Sequence, residues 1–180
     1  MDHITDYVSI RDNGKIRPEN AKWSDSPELT WAQYWAYWGK EVANRWVYRK
    51  VVHQVNFGEL GYEWVDLLPD KTGFLAFPNI YRSLEAKILN GDLERRCVLK
   101  PVFNVRGFGQ ERLEEVKKAN FQLYGQWDSE PHFKQQVRNN RNRKDGILEV
   151  EGNDGIADCM YFFDMQTGAF VGAEPYTWCD

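Results

Sequence analysis

The sequence predicts an α+β fold: a mostly antiparallel sheet with a C-terminal β-meander, packed by a long Trp-rich helix and two to three shorter helices. Tryptophans recur at helical spacing in the first third of the chain, and short strand-like segments separated by turn residues fill the last third. A length of 180 residues, 42% of them hydrophobic, indicates a single domain over residues 1–180.

The N-terminal segment has the pattern of a β-hairpin. Residues 7–10 are typical of a short strand, and residues 15–16 form the return strand. Between them, Asn13-Gly14 suits the positive φ angles of a tight turn. We therefore expect the chain to begin with two paired strands.

The long helix is predicted from about residue 27 to the mid-fifties, ending before Gly58. Ser26 is a suitable N-cap, Pro27 suits the first helical position, and Glu28 lies at the positive end of the helix dipole. One apolar stripe at helical spacing follows: Trp31, Trp35, Trp38, Val42 and Trp46. Since aromatic stripes of this kind normally face the interior, we interpret it as core rather than as a ligand site.

The middle of the chain alternates predicted strands and helices. Strands are expected at residues 62–68, 74–77 and 96–105, and a short helix at residues 80–89. Another helix should run from Gly109 to Gly125, and a further helix, capped at residues 129–131, should carry a basic segment. The C-terminal meander is predicted from strands at residues 147–151, 156–163 and 169–171.

Composition indicates an intracellular protein. The three cysteines, Cys97, Cys159 and Cys179, are odd in number and share no short spacing, which favours a reducing compartment over a disulfide framework. The N-terminus lacks a basic region followed by an apolar run, and no apolar stretch approaches the roughly 18 residues of a membrane span. We expect a cytoplasmic protein with no membrane partner. The spacing of the histidines and cysteines predicts no metal site.

A glycine-containing turn between a predicted strand and a predicted helix is the most suggestive local motif. Residues 104–110 include Arg106-Gly107-Phe108-Gly109, and unpaired N–H groups at a helix N-terminus can bind phosphate. The motif resembles the pyrophosphate loop of GNAT acyltransferases, which implies coenzyme A binding near Arg106, Gly107 and Gly109. It departs from that family at Glu111, where a small residue is usual. The alternative is that the two glycines only ease the turn.

A basic segment, defined as residues 133–144, lies in a chain whose net charge is −4. It contains no acidic residue and five cations: Lys134, Arg138, Arg141, Arg143 and Lys144. Such residues can contact nucleic-acid phosphates, an acidic protein surface, or solvent alone at a helix end.

Three functional hypotheses follow from these features. The first is a small interaction protein that binds a protein partner as an inhibitor, adaptor or assembly component, favoured by 8 Trp, 9 Tyr and 10 Phe and by the segregated charge. The second is a GNAT-like acyltransferase using the glycine turn. The third is RNA or single-stranded DNA binding through the basic segment. No motif specifies a reaction and no cofactor is predicted outside that resemblance, so the sequence leaves enzymatic activity undecided.

Overall fold

The computed structural model describes residues 2–19, 29–134, 142–143 and 146–175. In those residues the chain is mostly β, with three antiparallel sheets and two α-helices. The first sheet has the order β2-β1-β3-β4. Its strands are β1 (Thr5–Arg11), β2 (Ile16–Pro18), β3 (Glu41–Tyr48) and β4 (Val51–Val55), and α1 (Trp31–Trp38) lies in the connection from β2 to β3.

The second sheet is a meander in chain order, β5 (Trp64–Leu67), β6 (Gly73–Phe77), β7 (Ala86–Asn90) and β8 (Arg95–Leu99). A 3₁₀ turn at Phe57–Leu60 precedes it, and α2 (Gln110–Tyr124) follows it. The third sheet contains β9 (His132–Phe133), β10 (Asn142–Arg143), β11 (Ile147–Asn153), β12 (Asp158–Asp164) and β13 (Phe170–Pro175). Its order is β10-β11-β12-β13, with β9 also paired to β11.

The second sheet is the middle of three layers, because β6 is buried at every residue. Phe74 packs into a cluster with Trp46 and Phe57 on the side of the first sheet. Leu75 and Phe77 pack into a second cluster on the opposite side, which contains residues of the third sheet such as Phe133, Leu148, Val150, Tyr161 and Phe163. Because side chains alternate along β6, this one strand contributes residues to two separate cores.

The predicted long Trp-rich helix is wrong. Among the described residues of that range only Trp31–Trp38 is helical, and Val42 and Trp46 belong to β3. The predicted start of the helix, Ser26, Pro27 and Glu28, lies outside the described residues. The helix ends because Gly39 has a φ of 74°, which leaves the helical region. Beyond Gly39 the burial of β3 alternates with period two, so that Trp46 reaches the core as a strand residue.

Two further helices of the predicted α+β fold are absent from the described residues. Within the segment 80–89, residues from Ala86 onward form β7, which pairs with β6. The turn before it is closed by Asn79, whose Oδ1 accepts from the N–H groups of Tyr81 and Arg82. The predicted helix after residue 131 is replaced at its start by β9, which pairs with β11.

Several predicted elements are confirmed. The β1–β2 hairpin, β5, β6, α2 ending at Gly125, and the meander β11–β12–β13 lie where the sequence placed them. The predicted strand at residues 96–105 is shorter, since β8 ends at Leu99, before Pro101. In the described parts of the chain, neither helix is long and apolar enough to cross a bilayer.

Candidate functional site

A cleft of about 620 Å³ opens between the first sheet and β5 of the middle sheet. A neighbouring depression of about 600 Å³ shares Glu41, Asn44, Glu63 and Val65 with it, so the two form one continuous groove. We call the larger one the sheet cleft. Its dimensions are within the range of ligand and peptide sites.

The floor of the sheet cleft is the polar end of the first sheet's inner face. Period-two alternation places Tyr7, Ser9 and Arg11 of β1 on one face. Ser9 pairs in register with Asn44 of β3, two residues before Trp46 on the same strand. The inner face thus changes from the aromatic core to polar residues where it leaves the middle sheet.

The polar floor is almost fully buried and incompletely hydrogen-bonded. Ser9, Arg11 and Asn44 retain 8%, 7% and 3% exposure. Arg11 Nη1 donates to the carbonyl of Gly39 at 3.2 Å, but Ser9 Oγ and Arg11 Nε have no hydrogen-bond partner among the described residues. Burial lowers the pKa of Arg11, and the nearby carboxylate of Glu41 opposes that shift. Buried polar atoms without partners cost free energy, so a polar group that reaches this floor would bind favourably.

Helix α1 forms one wall of the sheet cleft. It begins with a capping box in which the Thr30 hydroxyl and the Gln33 side chain each bond the other's backbone N–H. Tyr34 is buried, and its hydroxyl accepts from Arg17 Nη2 at 2.8 Å. Trp35 lines the cleft and stays 40% exposed. Trp35 was predicted as part of the core stripe, but it lies on an accessible wall of the cleft.

Acidic residues also line the cleft. Glu19, Glu41, Glu63 and Asp66 all line it. Burial raises the pKa of Tyr7, and the carboxylates of Glu41, Asp66 and Glu19 raise it further, so the field at this phenol is negative. Glu19 also forms an ion pair of 3.6 Å with Lys71.

Exposed aromatic residues extend the cleft wall onto the surface of α1. Trp31 is 60% and Tyr37 51% exposed. Trp31 packs edge-to-face against Trp35, with 5.4 Å between the ring centroids. Large aromatic side chains beside a polar cleft are typical of binding surfaces.

The glycine turn, residues 104–110, is closed by hydrogen bonds to its first residue, Asn104. Asn104 Oδ1 accepts from the Phe108 N–H, and the Gly107 N–H donates to the Asn104 carbonyl. Two of the N–H groups that the predicted phosphate site needs are thus already engaged. Gly107 has a φ of 69°, and Gly109 is the N-cap of α2. Arg106 is exposed, with its guanidinium over the Phe108 ring.

The basic segment lies mostly outside the described residues. Arg138, Arg141 and Lys144 fall there, and for Arg143 only its backbone place on β10 is described. Lys134 Nζ forms a half-buried ion pair of 2.7 Å with Asp158 Oδ1. Neither Lys134 nor Arg106 of the glycine turn lines the sheet cleft.

Sequence analysis missed the sheet cleft because its residues are scattered along the chain. In β1, Val8 and Ile10 look like the inward residues, yet Ser9 and Arg11 are the more buried ones. The one available signal was Tyr7, an aromatic residue in phase with Ser9 and Arg11. It shows that the polar positions share the core-facing side of the strand.

Comparisons with known proteins give the fold alone. No family model and no curated protein matches the chain. The chain is similar to a chain in the structure of Tne2 in complex with Tni2, with a TM-score of 0.59 and 14% sequence identity. The match covers 97% of this chain and 99% of that chain, so it includes all three sheets.

Proposed function

We propose that this chain acts by binding a protein partner, as an inhibitor, adaptor or assembly component, and that the sheet cleft receives part of that partner. One observation carries the proposal: buried, unpartnered polar atoms of Ser9 and Arg11 lie beside the exposed Trp35. This combination of a buried polar floor and an accessible aromatic wall matches the anchor pockets of protein interfaces.

The shape of the site favours a macromolecular segment over a small molecule. The groove continues from the sheet cleft into the neighbouring depression through Asn44 and Val65, and it is open to solvent along its length. A groove of this kind suits an extended chain, which alternates backbone and side-chain contacts. The similar fold was solved in a complex of two proteins, which supports a partner-binding role for this architecture.

The acyltransferase and nucleic-acid hypotheses gain no comparable support. In the glycine turn, N–H groups are bonded to Asn104. In the basic segment, the described cation Lys134 is paired with Asp158. Both hypotheses stay predictions.

The proposal is tested by site-specific photo-crosslinking in the cells that express the chain. A photoreactive amino acid is placed at Pro18, an exposed residue of the cleft lining, and in a control at Leu123, which is 73% exposed on α2. We expect one protein adduct of defined mass from the cleft position and none from the control. An adduct from Leu123 with none from Pro18 would refute the site.

The captured protein is then purified and its affinity measured by calorimetry against two matched variants. Trp35→Ala removes the aromatic wall, and Tyr81→Ala removes an aromatic residue that is 77% exposed and outside the cleft lining. We expect Trp35→Ala to weaken binding about tenfold or more, since exposed aromatic anchors dominate interface energies. Tyr81→Ala should change affinity by less than about twofold. Equal affinities of Trp35→Ala and the unchanged chain would overturn the proposal.

A further inference from the structure

We infer that the floor of the sheet cleft binds a carboxylate of the partner, an aspartate or glutamate side chain, at Arg11, Arg17 and Ser9. Because this carboxylate belongs to the partner that the cleft receives, the inference rests on the proposed function. A partner that bound the cleft without placing a carboxylate at its floor would satisfy the proposed function alone, so the two claims can fail separately.

Arg11 is a buried cation that forms no ion pair among the described residues. It keeps 7% exposure and lines the sheet cleft. Its Nη1 donates to an uncharged acceptor, the carbonyl of Gly39, and its Nε has no hydrogen-bond partner in the described parts of the chain. Buried charges in proteins are normally paired with an opposite charge, because the desolvation of an unpaired ion is costly. An anion is therefore the group that this position lacks.

Glu41 lies opposite Arg11 in the register of β1 and β3 but does not supply that anion. Glu41 is exposed, and the ion pairs of the described residues do not join the two side chains. Burial lowers the pKa of Arg11, and the negative charge of Glu41 opposes this shift only in part. The guanidinium therefore remains short of negative charge although Glu41 is its neighbour.

A second cation and an unpartnered hydroxyl lie on the same face of the first sheet as Arg11. Period-two alternation places Ser9 on that face of β1, and Arg17 of β2 pairs in register with Ser9. Arg17 also lines the cleft, and its positive charge adds to the effect of burial in lowering the pKa of Arg11. Ser9 Oγ is buried and has no hydrogen-bond partner among the residues that the structure describes. Two guanidinium groups and a hydroxyl able to donate thus share one small area of the cleft.

The other carboxylates of the cleft lining make contacts elsewhere. Glu19 forms an ion pair of 3.6 Å with Lys71, and Glu63 Oε2 accepts from the Ile80 N–H at 3.0 Å. Asp66 alternates along β5 with the residues that pack into the aromatic core beside the first sheet, so its side chain lies on the other face of that strand. The contacts of the described residues therefore bring no carboxylate of this chain to Arg11.

The open donors of the floor match a carboxylate better than a phosphate. Arg11 Nε–H and the Ser9 hydroxyl can each donate one hydrogen bond, and a carboxylate has two oxygens to accept them. A phosphate would bring a further negative charge into a cleft that Glu41 also lines. Proteins supply carboxylates as aspartate and glutamate side chains, which agrees with a protein as the partner.

The test uses the full chain and three probes at constant ionic strength. Ac-Gly-Glu-Gly-NH₂ carries the carboxylate, Ac-Gly-Gln-Gly-NH₂ keeps the shape without the charge, and inorganic phosphate is an anion of another kind. Binding is followed by the NMR signals of the Arg11 Nε–H and of the indole N–H of Trp35, which lines the same cleft. We expect both signals to shift with the glutamate peptide below about 10 mM and much less with the glutamine peptide. Phosphate should bind no more tightly than the glutamate peptide.

Two serine variants separate a binding role from a structural one. Ser9→Ala removes the unpartnered hydroxyl, and Ser83→Ala removes a buried hydroxyl outside the cleft lining that donates to the Asn79 carbonyl at 2.6 Å. We expect Ser9→Ala to weaken glutamate-peptide binding about threefold to tenfold without lowering the midpoint of urea unfolding. Ser83→Ala should lower that midpoint and change binding by less than about twofold. If Ser9 had only a structural role, its variant would behave as Ser83→Ala does.

Two arginine variants test the charge. Arg11→Gln removes the cation of the floor and should weaken glutamate-peptide binding at least about tenfold. Arg95→Gln makes the same change at an exposed residue of β8 outside the cleft lining and should stay within about twofold of the unchanged chain. If Arg11→Gln does not fold, the serine pair decides the question.

Four results would overturn the inference: no shift with the glutamate peptide, equal shifts with the glutamine peptide, tighter binding of phosphate, or glutamate-peptide binding that Ser9→Ala leaves unchanged. These results are distinguishable from failure of the proposed function. If the glutamate peptide does not bind but Trp35→Ala still weakens binding of the captured partner, partner binding at the cleft stands and the carboxylate assignment falls. If Trp35→Ala and Ser9→Ala both leave the partner's affinity unchanged, both fall.

Discussion

Two non-glycine residues with left-handed backbone angles form the turn between β3 and β4. Tyr48 pairs with Val51, so the hairpin loop consists of Arg49 and Lys50 alone. Their φ angles are 52° and 62°, both in the left-handed region that a two-residue loop of this kind requires. Replacing Lys50 with glycine should therefore stabilise the protein.

The expected magnitude follows from two opposing effects. A left-handed conformation costs a non-glycine residue about 1–2 kcal/mol, which glycine avoids. Glycine loses more backbone entropy on folding, which costs roughly 0.5–1 kcal/mol. The net gain for Lys50→Gly is about 0–1.5 kcal/mol with a midpoint of about 0.75 kcal/mol, which corresponds to roughly 2 °C in Tm for a chain of this length. In a helix interior the same change would cost about 1 kcal/mol.

Thermal and urea unfolding of Lys50→Gly show directly whether the substitution raises or lowers the free energy of unfolding. Lys118→Gly is the matched control, because Lys118 is exposed within α2 and should lose about 1 kcal/mol. Lys50 is also exposed, so loss of its side-chain contacts contributes little. If Lys50→Gly lowers the unfolding midpoint as Lys118→Gly does, the hairpin assignment is wrong.

Three other predictions probe the packing and the turns. Gly91→Ala should cost about 1–3 kcal/mol in urea unfolding, because its Cβ would collide with the buried ring of Tyr48; an unchanged midpoint would contradict this. Burial raises the pKa of Cys159 to about 12, so a variant that keeps only this thiol should react with a disulfide reagent near pH 8 only after unfolding; fast reaction of the native protein would contradict it. A hydrogen bond from the Thr167 N–H lowers the pKa of the Asp164 carboxyl in the folded protein. The stability that this carboxylate contributes is therefore complete above the pKa of about 3.9 that Asp has in the unfolded chain, and it is lost as the pH falls through the lower folded pKa. Asp164→Ala should therefore destabilise the protein at pH 7 and converge with the unchanged chain near pH 2, and a constant difference would contradict it.

Elements with local end signals could be predicted from the sequence. The Asn13-Gly14 turn marks the first hairpin, and Gly125, with a φ of 71°, ends α2. The meander likewise follows from turns whose residues tolerate left-handed φ, such as Gly155 and Gly168. In each case one residue type has a conformational preference strong enough to act without tertiary contacts.

The long helix was predicted wrongly because two elements share one apolar spacing. Trp31 to Trp38 belong to a helix, and Trp46 to a strand, but their separations also fit a single helical stripe. The hairpin after β3 carries no Asn or Gly, since Arg49 and Lys50 occupy its left-handed positions. Without that turn signal, sequence periodicity alone could not separate helix from strand.

The candidate site could not be predicted because it is made by the packing of layers. Ser9 and Arg11 meet neighbours that are distant in sequence: Ser9 pairs with Asn44, and Arg11 Nη1 donates to the carbonyl of Gly39. Trp64 and Asp66 reach the same cleft from β5, more than fifty residues later in the chain. No short-range pattern encodes that juxtaposition.

Hydrogen exchange of the chain with and without its captured partner tests the central claim most directly. If the partner occupies the sheet cleft, amides of β1, α1 and β5 should exchange more slowly in the complex, while those of α2 and β11–β13 are unchanged. Protection of α2 or of the third sheet, with β1 and α1 exchanging as in the free chain, would contradict the account.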